Sequence, residues 1–228
     1  MIRNVFIDLD NTIFDFNKAE RIALSKTLMH MGVDPTEQIL ARYHILNMEQ
    51  WEALERGEIT LAQVKVRRFE NLYKELGCSL SAEKTKQLYE QNLSYGHYYI
   101  EGAEAFLQWM HGKYRLYLIT NGTTSVQKGR LKSAGIEGIF DSIFISEEIG
   151  LAKPAKEYFD YCFQGIEEFS KEESVIIGDS LTSDILGGIH AEVRTIWLNR
   201  TGKENNGRII PDYEVQELLE IPAIIEGL

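Results

Sequence analysis

Two aspartates one residue apart, Asp8 and Asp10, close a short apolar run, Val5-Phe6-Ile7, near the start of the chain. Side chains two positions apart at a strand end point to the same side, so both carboxylates converge on one place. Two like charges that close repel unless a cation or a shared proton compensates. A hard divalent ion bound by oxygens, such as Mg2+, does this, with Asp179 as a further ligand. Other apolar runs end in the same way. Thr120 and Asn121 follow residues 116–119, and Asp179 follows residues 175–177 with Asp184 one turn on. Singly, an Asp or Thr after a strand is a helix cap or turn residue, and Asp184 and Thr12 both carry that plain reading. Three strands that all end in acidic or hydroxyl groups point instead to a phosphate or metal site. Lys153, in Ala152-Lys153-Pro154, reads by default as a solvated surface lysine, but its place after a predicted strand and before a helix allows a phosphate contact.

The elements that must position these groups alternate. Short apolar runs at 5–7, 116–119, 143–145, 175–177 and 195–198 read as buried parallel strands. Helical patterns separate most of them, at 102–110, at 124–134 with Gly135 as a stop, and at 154–163 with Pro154 in the first helical position. This predicts a doubly wound, Rossmann-like α/β core with a mainly parallel sheet, and in such sheets ligands bind beyond the carboxyl ends of the strands. Residues 17–95 break the alternation. They hold no convincing strand but several helix signals: Leu24, Leu28 and Met31 before Gly32; Asp34-Pro35 as a cap followed by proline; a Thr60–Gln63 capping box before an apolar face ending at Gly77; and Ser81 as a further cap. The expected organisation is a catalytic core of residues 1–16 and 96–228 with an all-helical cap, 17–95, inserted after the first strand. Gly202 to Gly207 reads as a polar loop.

Composition narrows the classes. Lys and Arg total 24 against 35 Asp and Glu, for a net charge of −11, which repels phosphate backbones and argues against a nucleic-acid polymer as partner. An anionic substrate therefore needs local positive charge, from a metal ion or from placed lysines. Two distant cysteines, Cys78 and Cys162, imply a reducing compartment and no disulfide framework. With no signal-peptide pattern and no membrane-length apolar run, the expectation is a soluble cytoplasmic protein without a membrane partner.

Asp8-Leu9-Asp10-Asn11-Thr12 resembles the D-x-D-x-T signature of haloacid dehalogenase superfamily phosphatases. Thr120-Asn121-Gly122 is similar to that superfamily's second motif, Lys153-Pro154 to its third, and Gly178-Asp179-Ser180-Leu181-Thr182-Ser183-Asp184 to its fourth, G-D-x-x-x-x-D. The helical insertion sits where a subclass I cap belongs, so the resemblance covers nearly the whole chain. It implies that Asp8 is a nucleophile forming an aspartyl-phosphate and that Asp10 is the acid and base. It implies Mg2+, or Mn2+, held by the Asp8 carboxylate, the Asp10 backbone carbonyl and Asp179. Thr120 and the Asn121 amide would hold phosphoryl oxygens, Lys153 would neutralise charge, and Asp184 would orient Lys153 or the metal shell. Haloalkanoate dehalogenases lack an aspartate at the Asp10 position, so its presence reads as a phosphatase; phosphoglucomutase relatives keep both.

Further stretches, among them residues 10–16 and Ile145-Ser146-Glu147-Glu148-Ile149-Gly150-Leu151-Ala152-Lys153-Pro154, resemble the bacterial pyrimidine nucleoside 5′-monophosphate phosphatases. The resemblance implies a small phosphorylated substrate, a (deoxy)pyrimidine nucleoside monophosphate. A nucleobase needs a flat apolar slot, for which Phe14, Phe16, Trp51, Tyr95, Tyr98 and Tyr99 are candidates, although packing is the plainer reading of each. His30, His44, His97 and His111 have no evident partner and read as surface or packing residues, and His190, on the helix after the fourth motif, reads as a packing residue. The alternatives are a phosphatase or mutase for a sugar phosphate or small carboxylated phosphate, with Arg42, Arg56, Lys65 and Arg67 as cap cations, and an inactive binding module of the same fold. Gly96 and Gly102 are the hinge candidates in the return linker.

Overall fold

A computed structural model describes residues 1–205 and 207–228, so Asn206 of the expected polar loop lies outside the described residues. The chain divides into two compact units: Met1–Phe16, His97–Thr124 and Ala134–Leu228 form the first, Asn17–Gly96 with Ser125–Ser133 the second. In chain order the elements begin with β1 (Asn4–Ile7), α1 (Phe16–His30), α2 (Glu37–Glu55), α3 (Leu61–Leu76), α4 (Ala82–Leu93) and α5 (Ala103–Met110). There follow β2 (Arg115–Thr120), α6 (Thr124–Ala134), β3 (Ser142–Ile145), α7 (Ser146–Ile149), α8 (Lys156–Gln164) and β4 (Ser174–Gly178). The chain ends through α9 (Leu186–Ala191), β5 (Arg194–Leu198), β6 (Tyr213–Val215) and α10 (Ile221–Glu226).

The first unit is built on one six-stranded sheet of order β3-β2-β1-β4-β5-β6 with every pairing parallel. The run Val5-Phe6-Ile7 lies at its centre, fully buried on both faces, which is why it is continuous rather than alternating. Phe6 stands opposite Tyr117 on one side and Ile176 on the other. Its ring stacks on Tyr117 at 4.9 Å and meets the Phe163 edge at 5.2 Å, in a cluster that also holds Ile119, Tyr158, Phe159 and Cys162. The chain leaves β1 for β2 on one side and β4 for β5 on the other, so the connections diverge between β1 and β4. Beyond the carboxyl ends of these strands lies the crevice where such sheets bind ligands.

Two glycines let α9 pack closely, Gly187 against α8 and Gly188 against the sheet. A Cβ on Gly187 would collide with the Phe159 ring, and one on Gly188 with the Thr195 methyl, Ile176 lying just behind at 3.3 Å. Three local readings are corrected. Pro154 does not open a helix: its peptide bond to Lys153 is cis, and α8 starts at Lys156 after an extended Ala155. Asp34-Pro35 does not open α2; Thr36 is the cap, its Oγ1 accepting from the Ile39 N–H. A sixth strand, β6, adds an edge the sequence pattern did not announce.

In the second unit the capping box at Thr60 and Gln63, the left-handed stop at Gly77 (φ +64°) and the Ser81 cap all form as read. Tyr43, Phe69 and Tyr89 pack with ring separations of 5.2, 5.8 and 5.5 Å. Beside them runs a polar chain. His44 Nδ1–H donates to Glu20 Oε2 at 2.6 Å, Asn47 Nδ2 donates to Glu20 Oε1 at 2.7 Å, and the Arg68 guanidinium donates to Asn47 Oδ1 at 3.0 Å. His44 thus has a partner. Residues of α6 belong with this unit because Arg130, fully buried, donates Nε–H to Gly96 O at 2.7 Å. Gly96 itself backs onto Ala19, where an added Cβ would sit 2.9 Å from the Ala19 Cβ, so close packing accounts for this glycine. Among the described residues no helix is long and apolar enough to cross a membrane.

Gly188→Ala should lower stability by about 1–3 kcal/mol through overpacking against Thr195, read as a lower urea midpoint at unchanged m-value. A second expectation concerns pH. The hydrogen bond to Glu20 raises the His44 pKa above its ordinary 6.5, against the opposing effect of partial burial. That stabilisation is complete below 6.5 and is lost as pH rises through the raised value. The Tm advantage of the wild type over His44→Gln should therefore shrink from pH 6 to pH 9; a constant gap would remove the charged His44–Glu20 pair from the account.

Candidate active site

Asp8 is the first residue past β1, and its N–H donates to Ile177 O at 2.9 Å, which ties it between β1 and β4. The chain then makes a tight turn. Leu9 O accepts from both Ile13 N–H and Phe14 N–H at 2.9 Å, and Asn11 N–H donates to Phe14 O at 2.7 Å. Asn11 sits at φ +61°, a left-handed conformation that asparagine tolerates better than most residues, and its Oδ1 accepts from Phe16 N–H at 3.1 Å. The turn holds Asp10, half-buried, beside Asp8. Phe14 is fully buried with its ring 5.2 Å from that of Tyr99, so it presents no open face for a base.

Lys153 is not the solvated lysine of the default reading; it is almost wholly buried. Its Nζ donates to Asp8 Oδ1 at 2.7 Å, Asp184 Oδ1 at 2.7 Å and Ile119 O at 3.0 Å. These three acceptors satisfy all of an ammonium's donors. Burial works against the charged ammonium, but Asp184 and Asp8 more than offset it and raise its pKa. For Asp8 burial dominates and raises the pKa; Lys153 opposes this, while Asp184, Asp179 and Asp10 add to the rise.

Asp184 reaches the centre because Gly178 leaves it room: a Cβ on Gly178 would overlap the Asp184 carboxylate. With Oδ1 on Lys153 and Oδ2 accepting from Ser180 N–H at 3.0 Å, both Asp184 oxygens are engaged. It ties Lys153 to the loop after β4, a turn of π-helix from Leu181 to Ile185. Asp179 is half-buried. Burial pushes its pKa up to about 7, Asp184 adds to the rise, and Lys203 pulls it down. Trp197 Nε1–H holds the Asp179 carbonyl at 2.9 Å, a support that nothing in the sequence announced.

Carboxylate oxygens of Asp8, Asp179 and Asp184 lie within 4.8 Å of one another. Asp8 Oδ2 is buried and has no hydrogen-bond partner. An all-oxygen set with an orphaned buried carboxylate oxygen, and more carboxylates than Lys153 balances, fits a hard divalent cation. Asp8 and Asp179 are the available donors, since Asp184 is committed elsewhere. Thr120 is buried at the end of β2. The Asn121 side chain does something the sequence did not announce: Nδ2 donates to Lys153 O at 2.8 Å and Oδ1 accepts from Lys153 N–H at 2.9 Å. That reciprocal bracket fixes the backbone from which the Lys153 side chain departs. All seven residues singled out in the sequence lie in the first unit, at or just beyond the carboxyl ends of β1, β2 and β4 or on the loop before α8.

Comparison with known proteins agrees with this architecture. The chain is 36% identical over 220 residues to the pyrimidine 5′-nucleotidase PynA of Streptococcus pneumoniae, covering 95% of this chain and 93% of that one. It is 30% identical over 221 residues to the pyrimidine 5′-nucleotidase YjjG of Escherichia coli, covering 97% and 96%. A magnesium-bound crystal structure of YfnB from Bacillus subtilis superposes with a TM-score of 0.94 at 39% identity, covering 98% of each chain. The profile described as haloacid dehalogenase-like hydrolase matches residues 5–198, and with that span the chain belongs to the haloacid dehalogenase-like hydrolase family.

Proposed function

We propose that this enzyme is a divalent-cation-dependent phosphomonoesterase acting on (deoxy)pyrimidine nucleoside monophosphates through an aspartyl-phosphate on Asp8. The observation that carries the chemistry is the buried Asp8–Lys153–Asp184 arrangement, with Asp8 Oδ2 left open. Hydrogen bonding to Lys153 fixes the carboxylate's rotation, so the open oxygen has a defined direction. Asp8 attacks phosphorus and the ester P–O bond breaks. Asp10 gives its proton to the departing oxygen, then takes one from the water that attacks the aspartyl-phosphate, freeing phosphate and regenerating Asp8. Lys153 offsets negative charge on Asp8 and on the phosphoryl group, with Thr120 and the Asn121 amide as further donors. The Asp8 carboxylate, the Asp10 carbonyl and Asp179 would hold Mg2+ or Mn2+, which when bound offsets repulsion between the anionic nucleophile and the anionic ester.

The substrate class rests on similarity to PynA and YjjG over more than nine-tenths of the chain. The sugar-phosphate alternative draws less support, since Arg42 pairs with Glu75, Arg56 with Glu58, and Lys65 with Glu90.

Phosphate release should be faster from dUMP, dTMP and UMP than from purine nucleotides or sugar phosphates, and EDTA should abolish it. Turnover confined to sugar phosphates would discard the nucleotide reading while keeping the residues. Asp8→Asn should lose all turnover, and retained activity would sink the nucleophile assignment. Asp10→Asn should slow kcat by about 10²–10⁴, the usual contribution of a positioned acid.

A further inference from the structure

Lys153 is fastened to the end of β2 at three atoms. Its N–H and its carbonyl both bond the Asn121 side chain, and its Nζ donates to Ile119 O at 3.0 Å. The loop beyond Asn121 is fastened in turn to the short helix that follows β3. Gly122 N–H donates to Ser146 Oγ at 3.2 Å. Thr124 N–H, the first of α6, donates to Glu147 Oε2 at 2.7 Å. Ser146 is buried, and its own turn closes where Gly150 N–H donates to Ser146 O at 2.9 Å, with Gly150 at φ +78°. Five hydrogen bonds therefore join residues 119–124 to residues 146–153.

The sheet does not set this register. Thr120 and Ile145 are the last pair of the β2–β3 ladder, and both segments leave the sheet beyond them. Past that point the side chains of Asn121, Ser146 and Glu147 take over the work of the ladder. The two segments carry separate parts of the charge-handling apparatus. Thr120 and the Asn121 amide lie on one, and the Lys153 ammonium comes from the other.

We infer that the Asn121 side chain, Ser146 and Glu147 are positioning residues: they lock the Thr120–Asn121 loop in register with Lys153, so that a phosphoryl group meets both as one preformed cradle. The inference rests on the phosphatase reading. Donors aimed in advance at developing charge need no reorganisation during the reaction. A displacement of about 1 Å between them is enough to cost about 10²-fold in rate. The ground state gains less from that exact placement than the transition state does, so loss of register shows in kcat before KM.

Glu147 offers the cleanest test, because it is exposed and its removal leaves no buried group behind. In steady-state kinetics with the best ester of the panel and saturating Mg2+, well below each variant's Tm, Glu147→Ala should lower kcat about three- to tenfold, with KM changed less than about twofold. Glu147→Gln, whose amide oxygen still accepts from Thr124 N–H, should recover most of the loss. Asn121→Ala keeps the backbone amide and loses only the bracket; its kcat should fall by about 10²-fold. Orthovanadate, a trigonal-bipyramidal mimic of the transferring phosphoryl group, should bind Glu147→Ala more weakly by the same factor as the loss in kcat, while inorganic phosphate binds almost as before. Lost stability alone would lower Tm without separating those two ligands. An unchanged kcat in Glu147→Ala overturns the inference, whether or not Asn121→Ala folds, and so does a loss confined to KM. If the wild type releases phosphate from no ester, it is the phosphatase reading that fails. Hydrogen exchange at the Gly122 amide then decides separately: faster exchange in Glu147→Ala keeps the register lock, and an unchanged rate removes it.

Discussion

The ammonium of Lys153, buried between Asp8 and Asp184, is the interaction on which the site depends. Taking one ammonium and two carboxylates out of water is costly, and mutual attraction repays the cost only where geometry is good and the remaining donors are met. Here they are met, the third by Ile119 O at the end of a central strand. Loss of the lysine would leave two uncompensated buried carboxylates, a change of about 3–5 kcal/mol in comparable buried pairs. The arrangement is therefore a folding constraint at the very place where the carboxylates converge. It also stays short of positive charge, because Asp10 and Asp179 bring the carboxylates to four against the one ammonium of Lys153. That shortfall, with Asp8 Oδ2 unpartnered, is the physical reason the site suits a cation and an anionic ester together.

Everything around the lysine serves to hold it still. Asn121 brackets its backbone, Gly178 leaves space for Asp184, and Ser180 N–H fixes the second Asp184 oxygen. His190 Nδ1 lies 3.0 Å from Pro154 O, a contact on the same loop. These supports come from segments far apart in sequence, and the parallel sheet brings them together. Because β1 and β4 are neighbours whose connections diverge, the Asp8 turn and the Asp179 loop open into one crevice.

The centre of the fold was legible because central parallel strands carry a strong signal. A run such as Val5-Phe6-Ile7, buried on both faces, must be uniformly apolar, and the polar residue that ends it must face the crevice. Asp8, Thr120 and Asp179 stand at strand ends where that pattern puts them, and the Thr60–Gln63 capping box and the left-handed stop at Gly77 follow from short-range chemistry. What stayed hidden depends on long-range contact. β6 is three residues at an edge with two of them exposed, too little for a periodic pattern. Pro154 fitted a helix start, and only the surrounding loop decided otherwise. Glu20, His44, Asn47 and Arg68 look like ordinary surface residues of separate helices until packing joins them.

Asparagine brackets were invisible for the same reason. An amide offers a donor and an acceptor in one plane, so it can satisfy both backbone groups of a single residue and fix its position without touching its charge. Around Lys153 this is combined with carboxylates that hold the side chain as well, and the charge is spent inside the site. Around Lys203 the Asn199 amide meets the backbone alone, and the residue is exposed. A buried, doubly paired ammonium is suited to stabilising charge that develops on a reacting group, since it needs no reorganisation.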